Sequence, residues 1–196
     1  MVARALDSGV DARALVERLR EGDERAFDQA YVEHRAPLFS YLFRASRDRP
    51  LAEELLQETF LRFATHARLL EVDTDLRAWL FTVARNLFRS RKRRDRFGRE
   101  LLRQLGFVAR ETNQESPFDH ALASETERRL ERALDRLSPA YRDVVLLAVV
   151  ERLELDQVAK VLGLRPEATR QRLSRARAML AELLLEPSAD PVGEVP

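Results

Sequence analysis

RLELDQVAKVLGLRPEATRQRLSRARAML, residues 152–180, reads as two short helices separated by a tight turn. Val158, Ala159 and Leu162 share one face of the first helix, and Gly163 follows at C′, where a left-handed residue ends a helix at little cost. Leu164 turns inward. Arg165 precedes Pro166, whose fixed φ and missing N–H suit the first position of a second helix. Ala159 and Gly163 are the small residues expected to let the two helices approach at the steep angle of a helix-turn-helix. On the second helix Thr169, Leu173, Ala176 and Leu180 recur at helical spacing and face inward. The outward arc is Arg170, Gln171, Ser174 and Arg175, flanked by Arg172 and Arg177. It offers bidentate donors to base edges and point charges to phosphates.

A basic amphipathic helix is more often a packed, solvated surface helix than a DNA reader. Two features favour the reader: the turn chemistry, and six basic residues against one acidic, Glu167, between Lys160 and Arg177. Arg165 is a poor N-cap where Ser or Thr would serve, and Thr169 puts a hydroxyl at an inward position.

Over the whole chain 34 basic residues nearly balance 33 acidic ones, so the molecule is no general polycation and the information lies in how charge is segregated. Hydrophobic content of 45% with few aromatics and little Gly favours helices around a globular core. A length of 196 residues suits one ordinary domain or two small ones. No apolar run reaches the length of a membrane span and no signal-peptide pattern opens the chain, so a cytoplasmic protein without membrane insertion is expected. The absence of cysteine excludes disulfides and thiolate metal sites, and His34, His66 and His120 share no ligand spacing. No metal or other cofactor is expected.

Residues 1–10 carry no strong pattern and read as loose. A helix begins near Asp11 with Leu15, Val16 and Leu19 and ends near Gly22. Asp23 caps the next, which holds Ala26, Phe27, Ala30 and Tyr31, and Pro37 is expected to restart the chain before Leu38, Tyr41 and Leu42. Another helix opens around Pro50, with Glu53 and Glu54 in its first turn and Leu51, Leu55, Phe60 and Phe63 inward. Its polar side, Glu54, Gln57, Glu58 and Leu61, fits a docking surface or a solvated face equally.

A helix from Thr74 to about Arg96 follows, with Leu76, Trp79, Leu80, Val83 and Leu87 on the core face. Trp79 reads as core rather than as a base-stacking platform. The opposite face carries Arg77, Phe81, Arg85, Phe88, Arg89 and Lys92, and arginines interleaved with outward aromatics suit unstacked bases and their phosphates. From Arg85 to Arg99 there are eight basic residues against one acidic, so this end reads as projecting beyond the packed body or as a basic tether. Gly98, Gly106 and the turn-rich ETNQESP at 111–117 place the boundary between two domains here. Leu130, Ala133, Leu134 and Leu137 then form a stripe, and Ser138 and Pro139 start a Val- and Leu-rich helix that roofs the helix-turn-helix. The acidic, Pro-rich tail reads as disordered. The expected fold is all-α: a helical domain over 11–96, a flexible linker over 97–123, a helix-turn-helix domain over 124–185 and a tail over 186–196.

These residues resemble the sigma factors of bacterial RNA polymerase, in particular the extracytoplasmic-function (ECF) class. The resemblance rests on GDERAF from Gly22, AEELLQETFLRF from Ala52, LRAWLFTVARN from Leu76 to Asn86, LDRLSPAYRDVVLL from Leu134 and LSRAR from Leu173 to Arg177. It covers about Glu21–Arg94 and Leu130–Leu183. It implies promoter-specific transcription initiation without catalysis by this chain, with core RNA polymerase and promoter DNA as partners. Glu54, Gln57, Glu58 and Leu61 would dock on the clamp helices of the largest polymerase subunit. Arg77, Phe81, Thr82, Arg85, Asn86 and Arg89, with the loop Leu70 to Asp75, would read the minus-ten element and take a flipped base. Arg165, Arg170, Gln171, Arg172, Ser174, Arg175 and Arg177 would read the minus-thirty-five element, while another surface of that domain touches the polymerase flap. An anti-sigma factor is a further expected partner. Where the family commonly has Thr-Val this chain has Ala168 and Thr169, and Arg165 stands where Ser is usual.

Two other readings are weighed against this one. A stand-alone helix-turn-helix regulator would need a dimer surface and a ligand pocket, and the sequence shows neither. An enzyme would need a Ser-His-Asp, metal or phosphate-loop spacing, and none is present.

Overall fold

The computed structural model describes residues 2–104 and 125–185. Residues 105–123 of the expected linker, with Gly106 and His120, and the expected tail 186–196 lie outside the described residues. Among those described there are helices and turns and no strand: α1 (Val2–Glu21), α2 (Glu24–Ser46), α3 (Arg49–His66), α4 (Leu76–Gln104), α5 (Glu125–Arg136), α6 (Pro139–Val145), α7 (Leu155–Leu162) and α8 (Pro166–Leu185).

Local chemistry sets most of these boundaries. Gly22 at φ +83° turns α1 into Asp23, whose carboxylate accepts from the Arg25 N–H at 2.8 Å and from Arg18 Nε at 2.8 Å. Asp48 caps α3 through the Leu51 N–H at 3.0 Å, and Asp75 caps α4 through the Ala78 N–H at 3.0 Å. Gly163 at φ +66° ends α7, and Pro166 opens α8.

Four expectations at this level need correction. Helix α1 begins at Val2, well before Asp11. Pro37 does not restart the chain but lies inside a continuous α2. It removes one hydrogen bond, while Ala30, His34, Leu38, Tyr41 and Leu42 keep the buried face unbroken across it, and packing of that face outweighs the local loss. Because α3 starts at Arg49, Glu53 and Glu54 fall beyond its first turn. Helix α4 passes through Gly98 and runs to Gln104, so the segment expected as linker from 97 begins as helix.

The N-terminal unit, α1–α4, packs Val16, Leu19, Leu38, Leu42, Leu55, Phe63 and Leu80 into one core. Phe63 stacks on Phe27 with centroids 5.0 Å apart and meets Trp79 at 6.1 Å, which puts Trp79 at the core edge, as its spacing suggests. The C-terminal unit, α5–α8, closes over Leu134, Val144, Val145, Leu146, Leu147, Val158 and Leu173. A π-turn at Leu146–Val150 carries α6 into the loop before α7.

The two units are in contact. Helix α4 packs on α7, and α2 packs on the π-turn, so the apolar residues of both units form one continuous cluster.

Candidate nucleic-acid interface

Helix α8 presents the first candidate surface as its spacing predicts. Thr169, Leu173 and Ala176 are buried, while Arg165, Arg170, Gln171, Ser174, Arg175 and Arg177 are exposed and Arg172 is half-buried at the flank. Arg170 pairs with Glu167 at 3.2 Å, both side chains more than half exposed, a contact weak enough for a phosphate to displace. Thr169 bonds its hydroxyl back to the Arg165 carbonyl at 3.1 Å, which explains how a polar side chain is accommodated inward. Of the two reasons expected for Gly163, the left-handed helix end holds and the close approach does not. A Cβ there would meet nothing within 4 Å, so glycine serves the left-handed backbone and not the approach of the helices.

The second candidate surface, on α4, divides where the sequence reading saw one face. Leu76, Leu80 and Leu87 face the N-terminal core. Arg77, Phe81 and Arg85 stand on a second face, four residues apart. Arg77 donates to the Glu151 carbonyl, and Arg85 donates from Nε to Asp143 Oδ2 at 2.8 Å and from Nη1 to the Val161 carbonyl at 3.4 Å. Phe81, between them, is fully buried with its ring edge-on to Tyr41 at 5.7 Å. Phe88 on the same side is buried too. The expectation of an outward Arg-Phe face is therefore corrected: Phe81 and Phe88 are buried, Phe81 against Tyr41 of α2, and Arg85 is held by Asp143 and the Val161 carbonyl of the C-terminal unit. Burying a phenyl ring stabilises by about 1.5–3 kcal/mol, which accounts for aromatics where an exposed surface would not keep them. A third face of α4 stays accessible. Asn86 and Arg89 are exposed, and half-buried Thr82 bonds its hydroxyl to the Ala78 carbonyl at 2.7 Å.

The third surface lies on α3. Glu54, Gln57 and Leu61 are exposed, Leu61 at 63%, and Glu58 is half-buried. Glu54 pairs with Arg91 of α4 at 2.6 Å and Glu58 with Arg62 at 3.0 Å. An exposed leucine among carboxylates, away from the contact between the units, has the composition of a docking surface.

Sequence reasoning missed the residues that join the two units. Gln157 of α7 accepts the Glu154 N–H at 3.0 Å and donates to both oxygens of Asp75, at 3.0 and 3.2 Å, so one amide serves its own helix and the cap of α4. Ser40 of α2 donates to Glu151 at 2.6 Å. Burial lifts the Glu151 carboxyl above the ordinary glutamate range, and the Ser40 hydrogen bond opposes that rise. The available signal was an acid inside an apolar run, Asp143 before VVLL and Glu151 after AVV, which marks a charge that needs a partner.

Comparison with known proteins bears on both units. The model of Sigma-70 region 2 matches residues 30–97 and that of Sigma-70 region 4 matches residues 127–180. The RNA polymerase sigma factor CarQ of Myxococcus xanthus is 31% identical over 177 residues, spanning 87% of this chain and 96% of its own length. The chain belongs to the ECF class of RNA polymerase sigma factors. It is a promoter-specific transcription initiation factor. The sigma factor SigL of Mycobacterium tuberculosis is 32% identical over 80% of this chain and 87% of its own length. Among solved structures, the sigma factor RpoE of Bartonella quintana in complex with the anti-sigma factor NepR aligns over 82% of this chain and 98% of its own, with TM-score 0.66 and 28% identity. In ECF terms, α2 to α4 carry region 2 and α5 to α8 carry region 4. No helix among the described residues is long and apolar enough to cross a membrane.

Proposed function

We propose that region 2, within 11–96, reads the minus-ten element through Thr82, Asn86 and Arg89, joined by Arg77, Phe81 and Arg85 once region 4 withdraws. The loop 70–75 takes the flipped base. Region 4, within 124–185, reads the minus-thirty-five element in the major groove through Arg165, Arg170, Gln171, Arg172, Ser174, Arg175 and Arg177. Glu54, Gln57, Glu58 and Leu61 dock on the clamp helices of core polymerase, and region 4 also touches the flap. The observation that carries this reading is the exposed Arg170–Arg175 arc on the second helix of a helix-turn-helix whose inward face is filled.

Each reader is small. Specificity arises when polymerase holds both, because tethered sites gain effective concentration without new contacts. Opening of the duplex is driven by trapping unpaired bases on region 2, where stacking and phosphate contacts offset an unstacking cost of a few kcal/mol. An anti-sigma factor is a fitting regulatory partner, as RpoE of Bartonella quintana has in NepR. The chain acts in the cytoplasm, without catalysis of its own.

The test is transcription by purified core polymerase and this chain over a promoter library randomised at both elements. Arg175→Ala should lose discrimination at the minus-thirty-five element alone, and Arg89→Ala should slow promoter opening. If about five phosphates are neutralised, promoter affinity should fall with log salt at a slope of about −4 to −5. Equal defects of both variants on every promoter, or a flat salt response, would refute the division of labour.

A further inference from the structure

The ion pairs across the contact between the two units share one polarity. Region 2 contributes the arginines, and region 4 contributes carboxylates and the carbonyls of Glu131, Glu151 and Val161, while Asp75 of region 2 meets the neutral amide of Gln157. At the rim, Arg44 pairs with Glu131 at 3.0 Å and Arg47 with Asp135 at 3.0 Å, with a quarter to a half of each side chain in solvent. At the centre, Arg85 and Asp143 pair at 2.8 Å with side chains 10% and 15% exposed. Tyr41 reaches the same Asp143 at 3.5 Å. An arginine flanked by an aromatic and held by an acid is also what region 2 would offer to a phosphate beside an unstacked base. The side chains are the same and only the anion differs.

The same contact is built on two helix ends. Among the described residues the non-glycine positions with positive φ are Arg47, at +59°, and Arg152, at +53°. Each ends a helical segment in left-handed backbone, Arg47 after α2 with its N–H on the Phe43 carbonyl, and Arg152 after the π-turn, where the Leu153 N–H reaches the Leu147 carbonyl. Arg47 then makes the rim contacts to region 4, and Arg152 directly follows Glu151, which bonds Ser40 with its carboxylate and Arg77 with its carbonyl.

We propose that the free chain is self-occluded. Region 4 docks its acidic surface on the minus-ten face of region 2, Asp143 standing where a DNA phosphate would sit, so that Arg77 and Arg85 reach DNA only after the regions separate. This rests on the functional reading above and adds an order of events. In the closed chain the α3 docking face and the α8 arc stay accessible, while the face that captures single-stranded DNA is covered. Polymerase therefore engages first, separation follows, and minus-ten contact comes last. The closure restrains the chain before any second protein binds it.

The absence of cysteine makes the test direct. Ala64→Cys on α3 and Ala178→Cys on α8, both exposed, accept a donor and acceptor dye on the full-length chain. Single-molecule transfer efficiency should show one predominant high-transfer population in moderate salt, and core polymerase should move it to low transfer. The triple variant Glu131→Gln, Asp135→Asn and Asp143→Asn removes three charges with little change of shape and should raise the open fraction about ten-fold or more. It should also bind a labelled 30-nucleotide single strand of random sequence about ten-fold more tightly, because the arginines are released. The rim variant Glu131→Gln with Asp135→Asn, which leaves the buried pair intact, should give a smaller opening of about three-fold. Far-UV circular dichroism matching the parent establishes that each variant is folded. A free parent chain already at low transfer, or folded variants with unchanged transfer and unchanged strand affinity, would overturn the proposal. Failure to associate with core polymerase would instead remove the functional reading, and the transfer result for the free chain would stand apart from it.

Discussion

Thr169→Val tests how the recognition helix is held. Thr169 is fully buried on the inner face of α8, with its hydroxyl 3.1 Å from the Arg165 carbonyl. That carbonyl already accepts the Thr169 N–H at 3.0 Å, so removing the hydroxyl orphans no acceptor. Three contributions decide the sign. The lost bond, shared at one acceptor, is worth at most about 1 kcal/mol net. The hydroxyl no longer has to be taken out of water, which recovers about 1 kcal/mol or more. The new methyl group gains about 0.8 kcal/mol from burial, less whatever it costs to back away from the carbonyl. Helix propensities of the two residues are close and do not alter the balance. The expected result is stabilisation by about 0.5–1 kcal/mol, read as a rise in Tm of about 1–4 °C for a chain of this size. Urea unfolding of the full chain, together with a thermal melt, measures it. Promoter selectivity should not change, because Arg170, Gln171, Ser174 and Arg175 lie on the other side of the helix. A loss of stability of comparable size would refute the reasoning, since it would mean that the hydroxyl satisfies a need beyond one redundant bond.

At Gly163 the backbone alone carries the penalty: Gly163→Ala should cost about 1–2 kcal/mol in urea unfolding despite the open space around it, and no cost would contradict the left-handed assignment. Gly22→Ala, also at positive φ, should cost about the same, because the Arg68 guanidinium that a Cβ would meet at 2.6 Å belongs to an exposed side chain free to swing away. Glu151→Gln should give a stability difference from the parent that varies with pH. Burial raises the Glu151 carboxyl in the folded chain, against the hydrogen bond from Ser40 and the nearby Arg44 and Arg77, so the fold holds this proton more tightly than the unfolded chain does. Stability linked to the group is thus full below the ordinary glutamate range and lost as pH rises through the raised value. The glutamine variant should gain on the parent as pH climbs from about 4 to 7, and a gain that instead grows toward acid would reverse the assignment.

The helix-turn-helix was legible because its determinants are local. Gly163 and Pro166 punctuate the backbone, and the inward set Thr169, Leu173 and Ala176 repeats within a few turns of one helix. Asp23 announces a helix start by the same short-range chemistry, and Asp48 and Asp75, which the sequence reading passed over, cap α3 and α4 in the same way. Pro37 misled for the complementary reason: its effect on the backbone is local, but what keeps α2 whole is packing by α1, α3 and α4. The closure of the two regions is more distant still. Arg85 and Asp143 lie 58 positions apart, and Ser40 and Glu151 lie 111 apart, beyond any periodicity that a single helix displays.

Helix α4 shows why residue type could not settle the matter. A side chain that stacks on an unpaired base also fills a protein core, and a guanidinium that grips a phosphate also grips a carboxylate. Phe81 and Arg85 satisfy both descriptions, so the sequence pointed to an anion beside an apolar plane without saying which anion. In the folded chain that anion is Asp143. On the proposed reading, in which the same face captures the minus-ten strand, the two partners exclude each other and the free energy of closing is subtracted from that of promoter capture. Any change that weakens the closed contact without touching Arg77, Phe81 or Arg85 should then strengthen capture by the same factor for as long as the closed state predominates, and that equality separates competition for a shared face from mere proximity of two domains.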